Sequence, residues 1–278
     1  MVQYNVGGNK VKQRLISAAI GIAALIVILY FRGWVLDIAA VLLAAGAINE
    51  LRKTLLQRRI HIIAILNFLV IAIFLIAIEH NSPECLLITI VFASMAAMII
   101  PIFVEQRTIL DAQATIFAMI YPTLGFMSII ALNRMESDVA FIMLIAGLLF
   151  TWGCDSGAYF MGYLFGHRLL CPRISPKKTI GGALGGVLIT ALLGLAYGLI
   201  VQNLIYDGVL WYNYLIIALL ISVISQLGDL AASAIKRYCG VKDFGNFMPG
   251  HGGILDRFDS VVFAMPVVCT YALLLIGR

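Results

Sequence analysis

Apolar blocks of about 17 to 25 residues follow one another along the chain, separated by short polar stretches. Coiled as helix, a block of that length crosses a hydrocarbon layer about 30 Å thick. A backbone in lipid must satisfy its own hydrogen bonds, which leaves helices or closed barrels. Alternating ten-residue strands are absent, so the barrel is set aside. About nine spans are expected, near 15–31, 34–48, 60–78, 85–104, 112–132, 139–165, 180–204, 212–228 and 260–276. The expected fold is therefore all-α and polytopic. The second block is short, which suggests a tight hairpin or partly re-entrant pair with the first. The first block resembles a signal-peptide core but is long and lacks a small-residue cleavage site, so it reads as a retained helix.

Charge confirms the membrane reading and gives it a direction. Only 12% of the 278 residues are charged and 62% are hydrophobic, with mean hydropathy +1.02; a soluble domain carries roughly twice that charge fraction. With the N-terminus in the cytoplasm, the inward loops collect all the lysines and arginines except Arg32, Arg134 and Arg278. That asymmetry is the expected bias toward cytoplasmic positive charge. It places the chain in the inner (cytoplasmic) membrane as a multi-pass protein. The net charge of +5 then speaks for anionic lipid headgroups and a phosphorylated substrate, and no basic tail suggests nucleic acid. Five scattered cysteines, Cys85, Cys154, Cys171, Cys239 and Cys269, read as reduced, buried small hydrophobes.

Polar residues divide the chain by texture. Residues 1–134 look like a transmembrane scaffold and 135–278 like a catalytic region, whose helices carry Asp155, Ser156, Tyr159, Ser225, Gln226 and Asp229. Earlier, Asp37 is most simply a wet interfacial residue; Glu50 reads first as a solvated helix end, with a place facing the site as the alternative.

The densest polar stretch is SAIKRYCGVKDFGNFMPGHGGILDRFD, Ser233 to Asp259, with Asp229 just upstream. Lys236, Arg237, Lys242 and Arg257 supply positive charge; Asp243, Asp256 and Asp259 supply negative charge. Asp256 and Asp259 stand three apart, on one helical face. Together with Asp229 they make three carboxylates near a membrane, which repel by several kcal/mol at about 4 Å and an effective dielectric of about 20. A divalent cation resolves that conflict, and oxygen ligands point to Mg2+. The competing account is ion pairing, Asp229 to Lys236 and the other two to neighbours such as Arg257. Asp229, Ser233 and Lys236 fall at i, i+4 and i+7, one stripe presenting a carboxylate, a hydroxyl and an ammonium. Lys236 and Arg237 also suit a basic helix end reaching for headgroups. The GHGG segment at 250–253 lets backbone N–H groups approach an oxygen anion, and His251 adds a donor.

A second polar block runs from Trp152 to Gly182. Gly153/Gly157 and Gly162/Gly166 are spaced for close helix packing. Asp155 needs a partner from elsewhere in the fold. In SPKKT, Ser175 to Thr179, two lysines precede a glycine-rich helix start and suit an anion. No Walker A loop is present.

Ser233–Asp259 resembles, position for position, the signature of the CDP-diacylglycerol synthases (phosphatidate cytidylyltransferases): S-x-apolar-K-R, K-D, then H-G-G-apolar-x-D-R-x-D. D-S-x-A-Y-x-x-G-x-x-x-G followed by S-P-K-K-T is similar to that family's second block. The likeness covers about the last 125 residues; the first half matches in hydropathy only. One departure is Gly181, where the family usually has Glu or Gln. The resemblance implies transfer of CMP from CTP to phosphatidic acid, giving CDP-diacylglycerol and pyrophosphate with Mg2+. A second, monovalent cation is left open. It implies that Asp229, Asp256 and Asp259 hold metal, and that Lys177, Lys178, Lys236, Arg237, Lys242, His251 and Arg257 contact phosphates. Asp155, Ser175, Ser233 and Asp243 would shape the site, on the cytoplasmic side of a homodimer. Two alternatives stand beside it. A CTP-dependent polyprenol or phytol kinase would lack the complete K-D…H-G-G…D-R-x-D run. A cation-coupled transporter would carry inverted repeats and midplane charges, whereas these charges gather at one interface.

Overall fold

The computed structural model describes residues 19–80, 83–247 and 252–277. Among them, six helical segments are long and apolar enough to cross a membrane: Gly33–Leu56, Ile109–Arg134, Asp138–Phe165, Ile180–Leu204, Trp211–Tyr238 and Leu255–Ile276. Three shorter apolar helices, at Ala19–Phe31, Ala64–Glu79 and within Pro83–Phe103, account for the other expected blocks. The chain is a multi-pass membrane protein. It forms two compact units, Met1–Ile130 with Cys239–Phe258, and Ala131–Tyr238 with Asp259–Arg278. The segment Cys239–Phe258 therefore belongs with the N-terminal unit, although it lies within the region expected to be catalytic.

In the first unit, α1 (Ala19–Phe31) and α2 (Gly33–Leu56) are separated by Arg32, and positive φ at Arg32 and at Gly33, the first residue of α2, breaks the helix there. α2 runs well past its expected end at 48. Glu50, Leu51, Arg52 and Lys53 are good helix formers, and Leu51 and Leu55 continue the buried stripe of Leu36, Ala40, Ala44, Ala47 and Ile48. Asp37 lies on that stripe and is only 2% exposed, so it is not a wet interfacial residue. After α3 (Ala64–Glu79) and α4 (Pro83–Phe103), α5 (Ile109–Ala118) opens with a capping box between Thr108 and Asp111. Asp111 also accepts the His61 N–H at 2.5 Å. A π turn over Met119–Thr123 joins α5 to α6 (Leu124–Arg134). Its cause is local: Pro122 has no N–H for the Ala118 carbonyl, and the Thr123 hydroxyl donates to that carbonyl instead, at 3.0 Å.

Close helix packing organises the second unit, which holds α7 (Asp138–Phe165), α8 (Ile180–Leu204), α9 (Trp211–Tyr238) and α10 (Leu255–Ile276) from Asp259 onward. A Cβ at Gly182 would stand 2.7 Å from the Ala158 carbonyl oxygen, and one at Gly186 would stand 3.1 Å from that of Cys154. Toward α9, a Cβ at Gly198 would meet the Trp211 carbonyl at 2.5 Å. α8 thus lays bare backbone against both neighbours, and Gly157 and Gly162 of α7 pack against it as their spacing predicts. Between α7 and α8 the chain departs from an all-α fold. Leu169–Cys171 (β1) and Ser175–Thr179 (β2) pair as an antiparallel hairpin. A two-stranded sheet is all edge, which accommodates Pro176. Asp229–Tyr238 extends α9 past the expected block end at 228, and SPKKT is strand. All five cysteines are free; Cys154 and Cys239 are buried, while Cys85 is exposed, contrary to the expectation for it. Burial holds the Cys239 thiol above its usual range, opposed by nearby Arg58.

Gly181 has a packing reason. A Cβ there would sit 2.7 Å from the Phe165 carbonyl oxygen at the end of α7. Replacing it with Gln should therefore destabilise the protein by about 1–3 kcal/mol, read as a lower thermal midpoint in detergent. An unchanged midpoint would show that the α7–α8 contact is not so tight.

Candidate functional site

Six of the residues singled out in sequence cluster within the second unit. α7 contributes Asp155, β2 contributes Lys178, α9 contributes Asp229, Ser233 and Lys236, and α10 contributes Asp259. Lys178 forms a salt bridge with Asp229, each side chain 27% exposed. This differs from the pairing of Asp229 with Lys236 weighed in sequence. Lys236, only 9% exposed, instead lies within electrostatic range of Asp259, itself 8% exposed. Asp155 and Asp229 are within range of Asp259 too, and Asp155 of Lys178. The Ser260 N–H donates to Asp259 Oδ1 at 2.7 Å, and the Ser260 hydroxyl lies 3.5 Å from Asp155 Oδ1. Ser233 donates to Asp229 Oδ1 at 3.4 Å, as the helical stripe predicts.

The balance of this cluster matters. Among the described residues, three carboxylates and two ammoniums, Lys178 and Lys236, lie within electrostatic range of one another. All the acidic donors are hard oxygens, which suits Mg2+. The donor chemistry fits the ion, but no group of three His, Cys, Asp or Glu among the described residues is gathered closely enough to hold one. Strand geometry explains why the two lysines of SPKKT behave differently: successive side chains point to opposite faces. Lys177 is exposed, while Lys178 turns inward to Asp229. Arg237 Nε donates to the Ile174 carbonyl at 3.3 Å, tying the end of α9 to the hairpin turn. Ser175 is half-buried on β2.

The first unit holds a second cluster around the start of α10. Asp256 Oδ2 accepts the N–H of Phe244 at 2.8 Å and of Gly253 at 2.9 Å. Glu50 accepts with both oxygens, from the N–H of Ile254 and of Leu255, each at 2.9 Å. The expectation that Glu50 is a solvated helix end is thus overturned. Its partners are backbone groups about two hundred residues away, for which the sequence holds no signal. The glycine-rich segment also behaves differently from expectation at Gly253, whose N–H binds the protein's own Asp256 rather than standing open to an anion. Gly252 has φ +87, a conformation suited to glycine. Lys242, Asp243 and Arg257 are exposed. His251 lies outside the described residues.

Comparison with known proteins bears on these two clusters. Residues 12–275 match the cytidylyltransferase family. The chain belongs to that family. A phosphatidate cytidylyltransferase of Staphylococcus saprophyticus is 33% identical over 260 residues, covering 92% of this chain and 97% of the relative. One from Staphylococcus haemolyticus is 32% identical over 262 residues, with the same coverage. One from Bacillus subtilis is 50% identical over 115 residues, 41% of each chain. Family membership therefore reaches into the N-terminal half, where the sequence offered hydropathy alone.

The Lys178–Asp229 pair makes a testable claim. Lys178→Met and Asp229→Asn should each lower the thermal midpoint, and the double variant should lose less than their sum, with a coupling of at least about 0.5 kcal/mol. Simple additivity would show that this half-exposed pair contributes nothing.

Proposed function

We infer that the protein transfers CMP from CTP to phosphatidic acid, forming CDP-diacylglycerol and releasing pyrophosphate in phospholipid biosynthesis. The observation that carries this reading is membership of the cytidylyltransferase family over residues 12–275, with phosphatidate cytidylyltransferases as full-length relatives.

The residues suit the chemistry. A phosphate monoester has a second pKa near 6 and is mostly dianionic at neutral pH, so its oxygen attacks without a strong general base. A bond forms from that oxygen to the α-phosphorus of CTP. The bond from the α-phosphorus to the bridging oxygen breaks, and pyrophosphate leaves with the electron pair. The requirement is for charge neutralisation and in-line placement. Lys177, Lys178, Lys236, Arg237, Lys242, His251 and Arg257 are the cations we assign to the phosphates. Asp229 and Asp259 would hold Mg2+, and the sequence motif assigns Asp256 to it as well. When bound, Mg2+ would offset the repulsion between the carboxylates and the triphosphate. Asp155, Ser175, Ser233 and Asp243 would orient the surrounding groups. A monovalent cation beside Mg2+ remains part of the proposal, as does a homodimer.

The proposed topology has nine spans, six of them the long apolar helices and three the shorter ones. The loop-charge asymmetry supports a cytoplasmic N-terminus and a cytoplasmic-side site in the inner membrane. Both substrates reach such a place, one from water and one from headgroup depth.

Purified protein given phosphatidic acid, CTP labelled at the α-phosphate and Mg2+ should yield labelled lipid and pyrophosphate. Labelled CDP in the aqueous phase would indicate a kinase instead. Asp256→Asn keeps an oxygen to accept from Phe244 and Gly253 while removing the charge. It should abolish turnover in a protein that remains inserted and folded; wild-type rates from this variant would refute the metal role of Asp256.

A further inference from the structure

We propose that Glu50 is a positioning residue for the transfer reaction. From α2, it clamps the first turn of the helix that presents Asp256 and Arg257. The proposal rests on the functional reading above for what that turn presents. The clamp itself rests on geometry.

The first turn of any helix leaves backbone N–H groups without intrahelical partners. At the start of α10, Ile254 and Leu255 give theirs to the two oxygens of Glu50, each at 2.9 Å. Such charge-assisted bonds are roughly twice as strong as neutral ones, and a carboxylate also complements the positive end of the helix dipole. The surrounding backbone is shaped to the carboxylate. A Cβ at Gly253 or at Gly245 would lie 2.5 Å from a Glu50 oxygen, so both positions exclude a side chain where Glu50 sits.

The neighbour of Glu50 sharpens the point. Asp256, within electrostatic range of it, is a like charge. Asp256 takes the N–H groups of Phe244 and Gly253 while Glu50 takes those of Ile254 and Leu255, so three successive donors at this turn, with Phe244 from the preceding loop, serve two repelling carboxylates. The arrangement also fills the helix start with the protein's own anions. Substrate phosphates in this unit are therefore met by side chains such as Arg257 and Lys242, not by these amides.

The test compares wild type with Glu50→Gln and Glu50→Asp in the labelled-CTP assay, with amide hydrogen exchange on the same samples in detergent. Gln keeps one acceptor and turns an NH2 toward the other N–H; Asp keeps the charge but falls one methylene short. For Glu50→Gln, kcat should drop by about ten-fold to a hundred-fold. KM for CTP should rise by a smaller factor than kcat falls, because the clamp sets the placement of the turn that carries Asp256 and Arg257 and does not itself touch substrate. Exchange at Ile254 and Leu255 should accelerate while α7, α8 and α9 keep wild-type protection. Glu50→Asp should fall between the two. Wild-type kcat in Glu50→Gln, or a rise in KM alone, overturns the proposal. If Glu50→Gln does not fold, Glu50→Asp decides: wild-type kcat and protection in it overturn the clamp. Wild type assayed alongside separates the two inferences, since a wild type making no labelled lipid defeats the functional reading, and the role given to Glu50 falls with it.

Discussion

A carboxylate set among apolar helices needs a partner that the chain itself brings to it, because lipid supplies none. This protein answers that need in two ways. In the second unit, side chains answer: Lys178 meets Asp229, Lys236 lies near Asp259, and Ser260 serves Asp259. In the first unit, backbone N–H groups answer, at Glu50, Asp256 and Asp111. The two solutions have different consequences. An ammonium on a side chain can move to another anion, whereas an amide at a helix start is fixed by the fold. Mobile countercharges stand with the acids proposed for metal, and fixed ones hold the loop that leads into the D-R-x-D motif.

The enzyme must bring two anions together, and it does so without an evident nucleophile–base pair. Its problem is electrostatic, and its residues are chosen accordingly: hydroxyls, carboxylates and cations, with glycine wherever helices must approach. The α7–α8–α9 packing brings Asp155 and Asp229 near each other because glycines at 182, 186 and 198 remove the side chains that would hold those helices apart.

Much of this was legible in the sequence, and the limits have physical reasons. Hydropathy revealed each apolar block, since a bilayer imposes a length that composition alone can signal. Boundaries were less legible. The apolar blocks end near 48 and 228, yet Glu50 to Leu56 and Ser233 to Tyr238 favour helix by propensity and continue a buried stripe. The i, i+4 relation of Asp229 and Ser233 was readable because a helix makes neighbours of residues close in sequence. Asp155 visibly lacked a local partner, but only the fold could supply Lys178 and Ser260. Glu50 was misread for a stronger reason: its partners are amides, which every residue carries, so no residue type marks them. Asp37 was misread because a helix end near an interface predicts water, while its burial depends on packing. The small hairpin was invisible because Pro and Lys disfavour strands, and its pairing comes from a turn rather than from propensity.

That hairpin makes the doubled lysine a matter of register. Neighbouring strand residues face opposite ways, so the distance around the bend at 172–174 decides which ammonium meets the acid and which meets water. Deleting a single residue from the bend, with both lysines left untouched, would exchange their duties. The dipeptide therefore has no meaning apart from the length of chain that precedes it.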